Sequence, residues 1–136
     1  LRRARPAVVV LDSSVLVAIL RDEPDAAAWI EELHGADVLT IAAPTAVESA
    51  IVVGPARHGD LDELLSRSHT EVVPFDAHHA RVAREAYARY GKGSGSPARR
   101  NLGDCFSYAL SRVSGEPLLF KGTDFTHTDV LAARLV

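Results

Sequence analysis

The order of short apolar runs and amphipathic segments predicts a three-layer α/β/α sandwich around a central, mostly parallel sheet of four to five strands. β-branched runs alternate with segments whose apolar residues recur at helical spacing, which is typical of a parallel sheet with helices on both faces. The first run, Val8–Leu11, is apolar without interruption, as a strand covered on both sides must be. The 136 residues contain neither an internal repeat nor a linker, so we expect a single domain over residues 1–136, with residues 1–6 as a poorly ordered extension.

The same patterns place the other elements. Further strands are predicted at residues 38–42, 71–75 and 118–120. Helices are predicted at residues 13–21, 26–34, 45–58, 77–90 and 102–113, with a further short helix that starts at an Asp60–Glu63 capping box. Asp25 and Asp76 are the expected N-caps of the helices that follow them. Residues 91–97, rich in glycine and serine, are expected to form a flexible loop, and residues 129–136 fit either a helix or a strand.

Composition narrows the compartment and the class of partner. One cysteine cannot form an internal disulfide, and the apolar runs are far shorter than the ~20 residues that span a bilayer, so we expect a cytoplasmic protein without a membrane partner. The arginines near the start precede only a short apolar stretch, so no signal peptide is expected. A net charge of −3 argues against a surface that binds nucleic acid everywhere, although a nuclease that recruits cations with carboxylates is compatible with it.

Asp12 and Glu48 are the first two candidate functional acids. Asp12 directly follows the first strand, and ligands of parallel sheets bind at the C-terminal ends of the strands. The alternative is that Asp12 only caps the next helix. Glu48 lies in a predicted helix that is apolar nearly all round, where a carboxylate is costly unless it is paired or bound to metal. Here the alternative is a capping box, because Thr45-x-x-Glu48 matches the motif in which the glutamate bonds back to the start of its helix.

Three further aspartates complete the candidate set. Asn101 is the expected N-cap of the last helix and places Asp104 in the first turn, where a negative charge suits the helix dipole. Asp104 is expected to face solvent or a cleft, in line with Ser107, Tyr108 and Ser111. The opposite, core face is expected to consist of Leu102, Phe106, Ala109, Leu110 and Val113. Asp124 follows the last strand, and Asp129 lies five residues further on.

Together these acids can converge on one pole of the sandwich. Crowded carboxylates raise one another's pKa unless a cation neutralises them. Hard oxygen ligands favour Mg²⁺ or Mn²⁺, and such ions activate water and stabilise the leaving oxygen in phosphodiester hydrolysis. Basic residues around the glycine-rich loop either contact an RNA backbone or belong to a solvated loop; they are Lys92, Arg99 and Arg100, with Arg89 before them.

Four segments of the chain resemble the PIN domain, and specifically the VapC-type toxins of VapBC toxin–antitoxin systems. They are V-V-L-D-S-S-V-L-V-A-I-L at residues 9–20, T-A-V-E-S-A at 45–50, N-L-G-D-C-F-S-Y at 101–108 and P-L-L-F-K-G-T-D-F at 117–125. The resemblance spans almost the whole chain and implies three catalytic acids, Asp12, Glu48 and Asp104, of which Asp12 and Asp104 bind the metal. It also implies a supporting hydroxyl from Ser14, and Asn101 is expected to support the site as the cap of the helix that carries Asp104.

The fourth acid departs from the family pattern. Many members carry an aspartate three residues before the phenylalanine that follows the last strand, and Gly122 occupies that position here. Asp124, directly before Phe125, is the expected catalytic substitute, with Asp129 as the second candidate.

The resemblance also implies a function. It predicts an Mg²⁺- or Mn²⁺-dependent endoribonuclease, a homodimer held inactive by a small VapB-type antitoxin, with transfer or ribosomal RNA as substrate. The alternative is a degenerate PIN fold that binds RNA or protein without cutting, which Gly122 favours and the three retained acids disfavour. A phosphoaspartyl phosphatase is disfavoured because residues 12–14 lack the second aspartate of such enzymes. A phospho-receiver domain needs a lysine near the last strand in a suitable setting. It is disfavoured because Lys121 is the only candidate and lacks that setting.

Overall fold

The computed structural model describes residues 8–91, 93–95, 101–126 and 128–133, and its elements alternate as the sequence predicts. The strands are β1 (Val8–Leu11), β2 (Val38–Ala42), β3 (Glu71–Val73) and β4 (Leu118–Leu119). The helices are α1 (Ser13–Leu20), α2 (Ala26–His34), α3 (Ala43–Val53), α4 (His58–Arg67), α5 (Ala77–Tyr90) and α6 (Leu102–Ser114), with a 3₁₀ turn at Pro55–Arg57 before α4. β3 and β4 are shorter than predicted. The predicted extension of residues 1–6 lies outside the described residues, as does part of the predicted loop.

The four strands form one parallel sheet in the order β3-β2-β1-β4. β1 is central, with Val10 opposite both Thr40 of β2 and Leu118 of β4. At the outer edge of β4, Leu118 also forms a parallel bridge with Ala132. The segment that the sequence left unassigned therefore extends the sheet by a bridge, and the predicted mostly parallel sheet is confirmed.

Helices cover both faces of the sheet because successive strand residues point to opposite sides. Val9 and Leu11 of β1 pack in a core cluster with residues of α1, α2 and α4. Val10 points the other way and packs in a second cluster with residues of α5 and α6. The predicted three-layer α/β/α architecture is thus confirmed. No described helix is long and apolar enough to cross a membrane.

The third helix differs from its prediction at both ends. α3 begins at Ala43, with Pro44 in its first turn, where a missing N–H costs nothing. It ends at Val53 because Gly54 has φ +89° and Pro55 follows. The next helix accordingly begins at His58, so the prediction of a helix start at an Asp60–Glu63 capping box is wrong.

The expected burial of α3 on all sides is also wrong. Its fully buried residues are the small polar Thr45 and Ser49, whereas the side chains of Val47 and Ile51 are 59% and 73% exposed. Large apolar side chains of this helix are therefore turned to solvent, while the small Ala46 and Ala50 pack against the core.

The predicted faces of α6 are partly correct: the middle of the apolar stripe is buried as expected, but the polar face is buried as well. Leu102, expected in the core, is 63% exposed, while Asp104, Ser107 and Ser111 are buried. The burial of these polar groups is tolerated because they find hydrogen-bond partners inside the fold. Ser107 donates to Asp12, and Ser111 donates to the Glu116 carbonyl oxygen at 2.6 Å.

Two expected N-caps behave differently. Asp76 caps α5 through a capping box with His79, as predicted. Asp25 occupies the N-cap position of α2 but makes no capping hydrogen bond. Its carboxylate instead accepts from Trp29 Nε1 at 2.9 Å and from Lys121 Nζ at 3.0 Å.

Candidate active site

Asp12 stands at the C-terminal end of the central strand and is almost fully buried, with 2% exposure. Its backbone is extended, with φ −88° and ψ 155°, and its Oδ2 accepts from the Ser14 N–H at 3.1 Å, which caps α1. Its Oδ1 accepts the hydroxyl of Ser107. Asp12 is thus the helix cap that the sequence allowed. Its buried carboxylate also lies in the crevice at the C-terminal ends of the strands.

Glu48 reaches the same region from α3. The capping-box interpretation is wrong, because α3 starts upstream with Ala42 as its N-cap, so Thr45 lies inside the helix. The carboxylate lies directly on Gly103 of α6: a Cβ placed on Gly103 would lie 1.5 Å from Glu48 Oε2. Among the described groups, Oε1 of Glu48 is buried without a hydrogen-bond partner, and so is the hydroxyl of Thr45.

The electrostatics of Glu48 follow from this placement. Burial raises the pKa of its carboxyl above the ordinary value, and the nearby charge of Asp12 raises it further. A hydrogen bond from the Ser13 side chain acts in the opposite direction. Two carboxylates from different elements therefore repel each other here, in a setting that a cation would relieve.

Asp104 lies in the first turn of α6. Asn101 caps this helix as predicted: its Oδ1 accepts from the Asp104 N–H at 3.0 Å, and Asp104 Oδ2 accepts from the Asn101 N–H at 3.2 Å. Asp104 is 9% exposed. Gly103, the residue before Asp104, lies against Glu48, and Ser107 contacts Asp12, so Asp104 stands on the part of α6 that meets both other acids.

Ser14 connects this corner to the end of the sheet. Its hydroxyl accepts from the Lys121 backbone N–H at 2.9 Å, just after β4. The Lys121 ammonium donates to Glu23 at 2.5 Å and to Asp25 at 3.0 Å, and both bonds raise its pKa. This bridge fixes the segment after β4 against the start of α1 and the α1–α2 loop.

The two candidates for the fourth acid occupy different places. Asp124 is exposed and lies between Lys121 and the buried Phe125, whose ring packs on Phe120 with the centroids 5.0 Å apart. Asp129 accepts the hydroxyl of Tyr108 and lies 3.7 Å from the Arg112 guanidinium.

Asp129 belongs to a cleft of ≈ 720 Å³ between α5 and α6 that neither Asp12 nor Glu48 lines. Burial tends to raise the pKa of Asp129, but the Tyr108 hydrogen bond and the Arg112 charge lower it overall. Burial and the Asp129 contact raise the pKa of the Tyr108 phenol. Asp129 therefore lies in a different cleft from Asp12 and Glu48 and has partners of its own there.

Sequence reasoning missed several contributors. Ser107 was placed beside Asp104, but nothing in the sequence indicates its bond to Asp12, a residue 95 positions away. The sequence also did not indicate the roles of Ser13, Gly103 and the Lys121 bridge. For Lys121, the nearby acids Glu23 and Asp25 are the one signal that could have suggested a partner. The predicted RNA-binding residues Lys92, Arg99 and Arg100 lie outside the described residues.

The donor set fits a hard divalent cation. The carboxylates of Asp12 and Glu48 interact here, and the buried, unpartnered Oε1 of Glu48 is an oxygen that a cation would satisfy. In the described part of the chain, no three His, Cys, Asp or Glu side chains form a ready-made metal cage. Mg²⁺ does not require one, because it is usually held by one or two carboxylates together with water and substrate phosphate.

Comparison with known proteins identifies the family. A family model described as PIN domain matches residues 9–131. Ribonuclease VapC28 of Mycobacterium tuberculosis is 46% identical over 129 residues, which cover 92% of this chain and 97% of that protein. Ribonuclease VapC of Mycolicibacterium smegmatis is 49% identical over 132 residues, which cover 91% of this chain and 98% of that protein.

Solved structures share the fold at low sequence identity. Mycobacterium tuberculosis VapC20, described as a sarcin–ricin-loop-cleaving toxin, has a TM-score of 0.76 at 14% identity and covers 93% of this chain and 98% of its own. VapBC2 from Rickettsia felis, bound to a promoter DNA fragment, has a TM-score of 0.71 at 15% identity and covers 93% and 97%. With its family model and its close relatives named VapC ribonucleases, this chain belongs to the PIN-domain family.

Proposed function

We propose that this protein is the toxin component of a type II toxin–antitoxin pair, an endoribonuclease that hydrolyses RNA phosphodiester bonds with Mg²⁺ or Mn²⁺. Asp12, Glu48 and Asp104 form its acidic centre, and Asp124 is the fourth acid. The observation that carries the proposal is the buried, unpartnered oxygen of Glu48 beside the charge of Asp12. Such a group is costly in a folded protein unless a ligand compensates it.

The proposal gives each residue of the acidic centre one role. When bound, the metal ion supplies a Lewis acid that activates water and stabilises the leaving oxygen. Asp12 and Asp104 would hold the ion, and Asp12 is oriented by the Ser14 amide and the Ser107 hydroxyl. Glu48 adds an oxygen from α3. Asn101 fixes Asp104 through the capping box, so Glu48 and Asp104 both stand on helices rather than on loops.

The proposed partners follow from the relatives. Several similar solved structures are named as toxin–antitoxin complexes, including VapBC2 of Rickettsia felis and VapBC-5 of Mycobacterium tuberculosis. We accordingly propose a VapB-type antitoxin as the protein partner. Transfer or ribosomal RNA is the proposed substrate, with Lys92, Arg99 and Arg100 contacting its backbone.

A homodimer is the proposed quaternary state. The family resemblance implies it, and the exposed side chains of Val47 and Ile51 on α3 offer an apolar surface for a second copy. Light scattering on the purified protein tests this: Ile51→Glu should halve the mass, whereas Leu131→Glu, at a leucine that is 62% exposed elsewhere, should not. A monomeric wild type would contradict the proposal.

The competing function is RNA or protein binding without cleavage, for which Gly122 was the supporting feature. In the structure Gly122 has φ +95°, a conformation that glycine adopts readily because it has no Cβ. The glycine therefore has a backbone role of its own, and we propose that Asp124, two residues later, supplies the acid.

Cleavage of a total RNA pool and a transfer RNA pool by the purified protein tests the proposal. Wild type with Mg²⁺ should cut, and EDTA, Asp12→Asn or Asp104→Asn should each abolish cutting. Asp62→Asn, at an exposed acid on α4, is the matched control and should cut like wild type. Cutting that survives in both site variants would refute the site. Specific RNA binding without cutting would favour the competing function.

A further inference from the structure

Gly103 occupies a position where the backbone does not require glycine. It is the second residue of α6 and, unlike Gly54 or Gly122, it has no positive φ. Glycine weakens a helix relative to alanine because it loses more conformational freedom on folding. The reason for a glycine here must therefore lie in the space beside it.

That space is filled by the end of the Glu48 side chain. A Cβ on Gly103 would lie 1.5 Å from Oε2, 2.4 Å from Cδ and 2.8 Å from Oε1 of Glu48. No real Cβ tolerates such distances, so Glu48 could not keep its position beside any other residue. At Gly91 the crowding is of a different kind. The atom nearest to a Cβ placed there is the backbone oxygen of Tyr87, which cannot move independently of its helix.

We propose that Gly103 is a positioning residue that sets the location of the Glu48 carboxylate in the metal centre. This inference rests on the proposed function of the three acids. By leaving the Cβ volume empty, Gly103 lets the end of Glu48 lie against the first turn of α6, with Oε1 buried. The glycine thus sets how closely the acid on α3 approaches the helix that carries Asp104.

A methyl group added at Gly103 should displace the Glu48 side chain without unfolding the protein. The clash involves the far end of a flexible side chain and not the backbone, so Glu48 can rotate away while the fold is retained. Alanine also favours the helix more than glycine does. Gly103→Ala should therefore keep or raise thermal stability while it weakens metal binding.

The experiment measures Mn²⁺ affinity by calorimetry and the melting temperature in EDTA for the wild type and four variants. Gly103→Ala should bind Mn²⁺ at least about tenfold more weakly than wild type, as is typical when a group that orients a metal ligand is changed. Its melting temperature should equal or exceed that of wild type. Glu48→Asp, shorter by one methylene, should lose part of the affinity. The double variant Gly103→Ala/Glu48→Asp should bind better than Gly103→Ala alone, because the shorter acid clears the new methyl group.

Gly59→Ala is the matched control. Gly59 is also the second residue of its helix, α4, and a Cβ there would meet nothing within 4 Å. This variant should raise the melting temperature similarly and leave Mn²⁺ affinity unchanged. Wild-type affinity in Gly103→Ala, a lowered melting temperature, or a double variant no better than the single one would overturn the inference. A wild type that binds no Mn²⁺ would instead overturn the proposed function on which it rests.

Discussion

Removal of the Ser107 hydroxyl is the sharpest probe of how the site is built. Ser107 is 0% exposed and donates to Asp12 Oδ1, which belongs to a residue that is 2% exposed. In Ser107→Ala, water cannot readily replace the lost donor at so buried a position. The carboxylate oxygen would then lack that partner in the metal-free protein.

The expected cost follows from the kind of bond that is lost. A hydrogen bond to a charged group contributes about 1.5–3 kcal/mol, and a buried acceptor left unsatisfied costs about the same or more. We therefore expect Ser107→Ala to lower the free energy of unfolding by about 1.5–3 kcal/mol in EDTA. The removed oxygen leaves little empty volume, so the cavity contribution is small by comparison.

Urea unfolding followed by circular dichroism measures this difference. Ser66→Ala is the matched control, because Ser66 is an exposed serine on α4 and its removal should change the free energy by less than about 0.5 kcal/mol. If Ser107→Ala and Ser66→Ala unfold at the same urea concentration with the same slope, the hydroxyl does not hold Asp12 and the reasoning is refuted.

Three other predictions concern the neighbouring acids. Burial raises the pKa of Glu48, so the metal-free protein loses stability as pH rises above the ordinary value of 4.5. Glu48→Gln should consequently be more stable than wild type at pH 7 in EDTA and inactive on RNA with Mg²⁺; lower stability in calorimetry would contradict this. The Lys121 contact lowers the pKa of Asp25. The contact therefore stabilises the fold at pH values above the ordinary pKa of 3.8, and this stabilisation is lost as pH falls below it. Lys121→Met should thus show a smaller drop in melting temperature than wild type between pH 6 and pH 3, and an equal drop would argue against the bridge. Asp124→Asn should abolish cleavage, whereas Asp129→Asn should reduce the melting temperature and retain cleavage; the reverse pattern in an RNA assay would identify Asp129 as the fourth acid.

The sequence was sufficient for features that depend on local patterns. The unbroken apolar run before Asp12 predicted a central parallel strand, and the Asn101–Asp104 spacing predicted a helix cap that the structure contains. Both outcomes depend on residues close together in the chain, for which periodicity and capping chemistry are informative.

Other features depended on tertiary contacts and could not be predicted. The motif Thr45-x-x-Glu48 suggested a cap, but Pro44 favoured an earlier helix start, which freed Glu48 to contact Gly103. The polar face of α6 is buried because Asp12 offers Ser107 a partner from the far end of the sequence. Local propensity carries no information about such partners, so the buried face was assigned to the apolar stripe instead.

Anomalous diffraction from crystals of the wild type soaked with Mn²⁺ locates the metal itself. We expect a peak within about 2.5 Å of carboxylate oxygens of Asp12 and Asp104, the range for direct coordination of such ions, with Glu48 Oε1 facing it. The peak should vanish in Asp104→Asn crystals grown in the same conditions. A peak at Glu23 and Asp25 instead, or none at the three acids, would contradict the assignment of this corner as the metal centre.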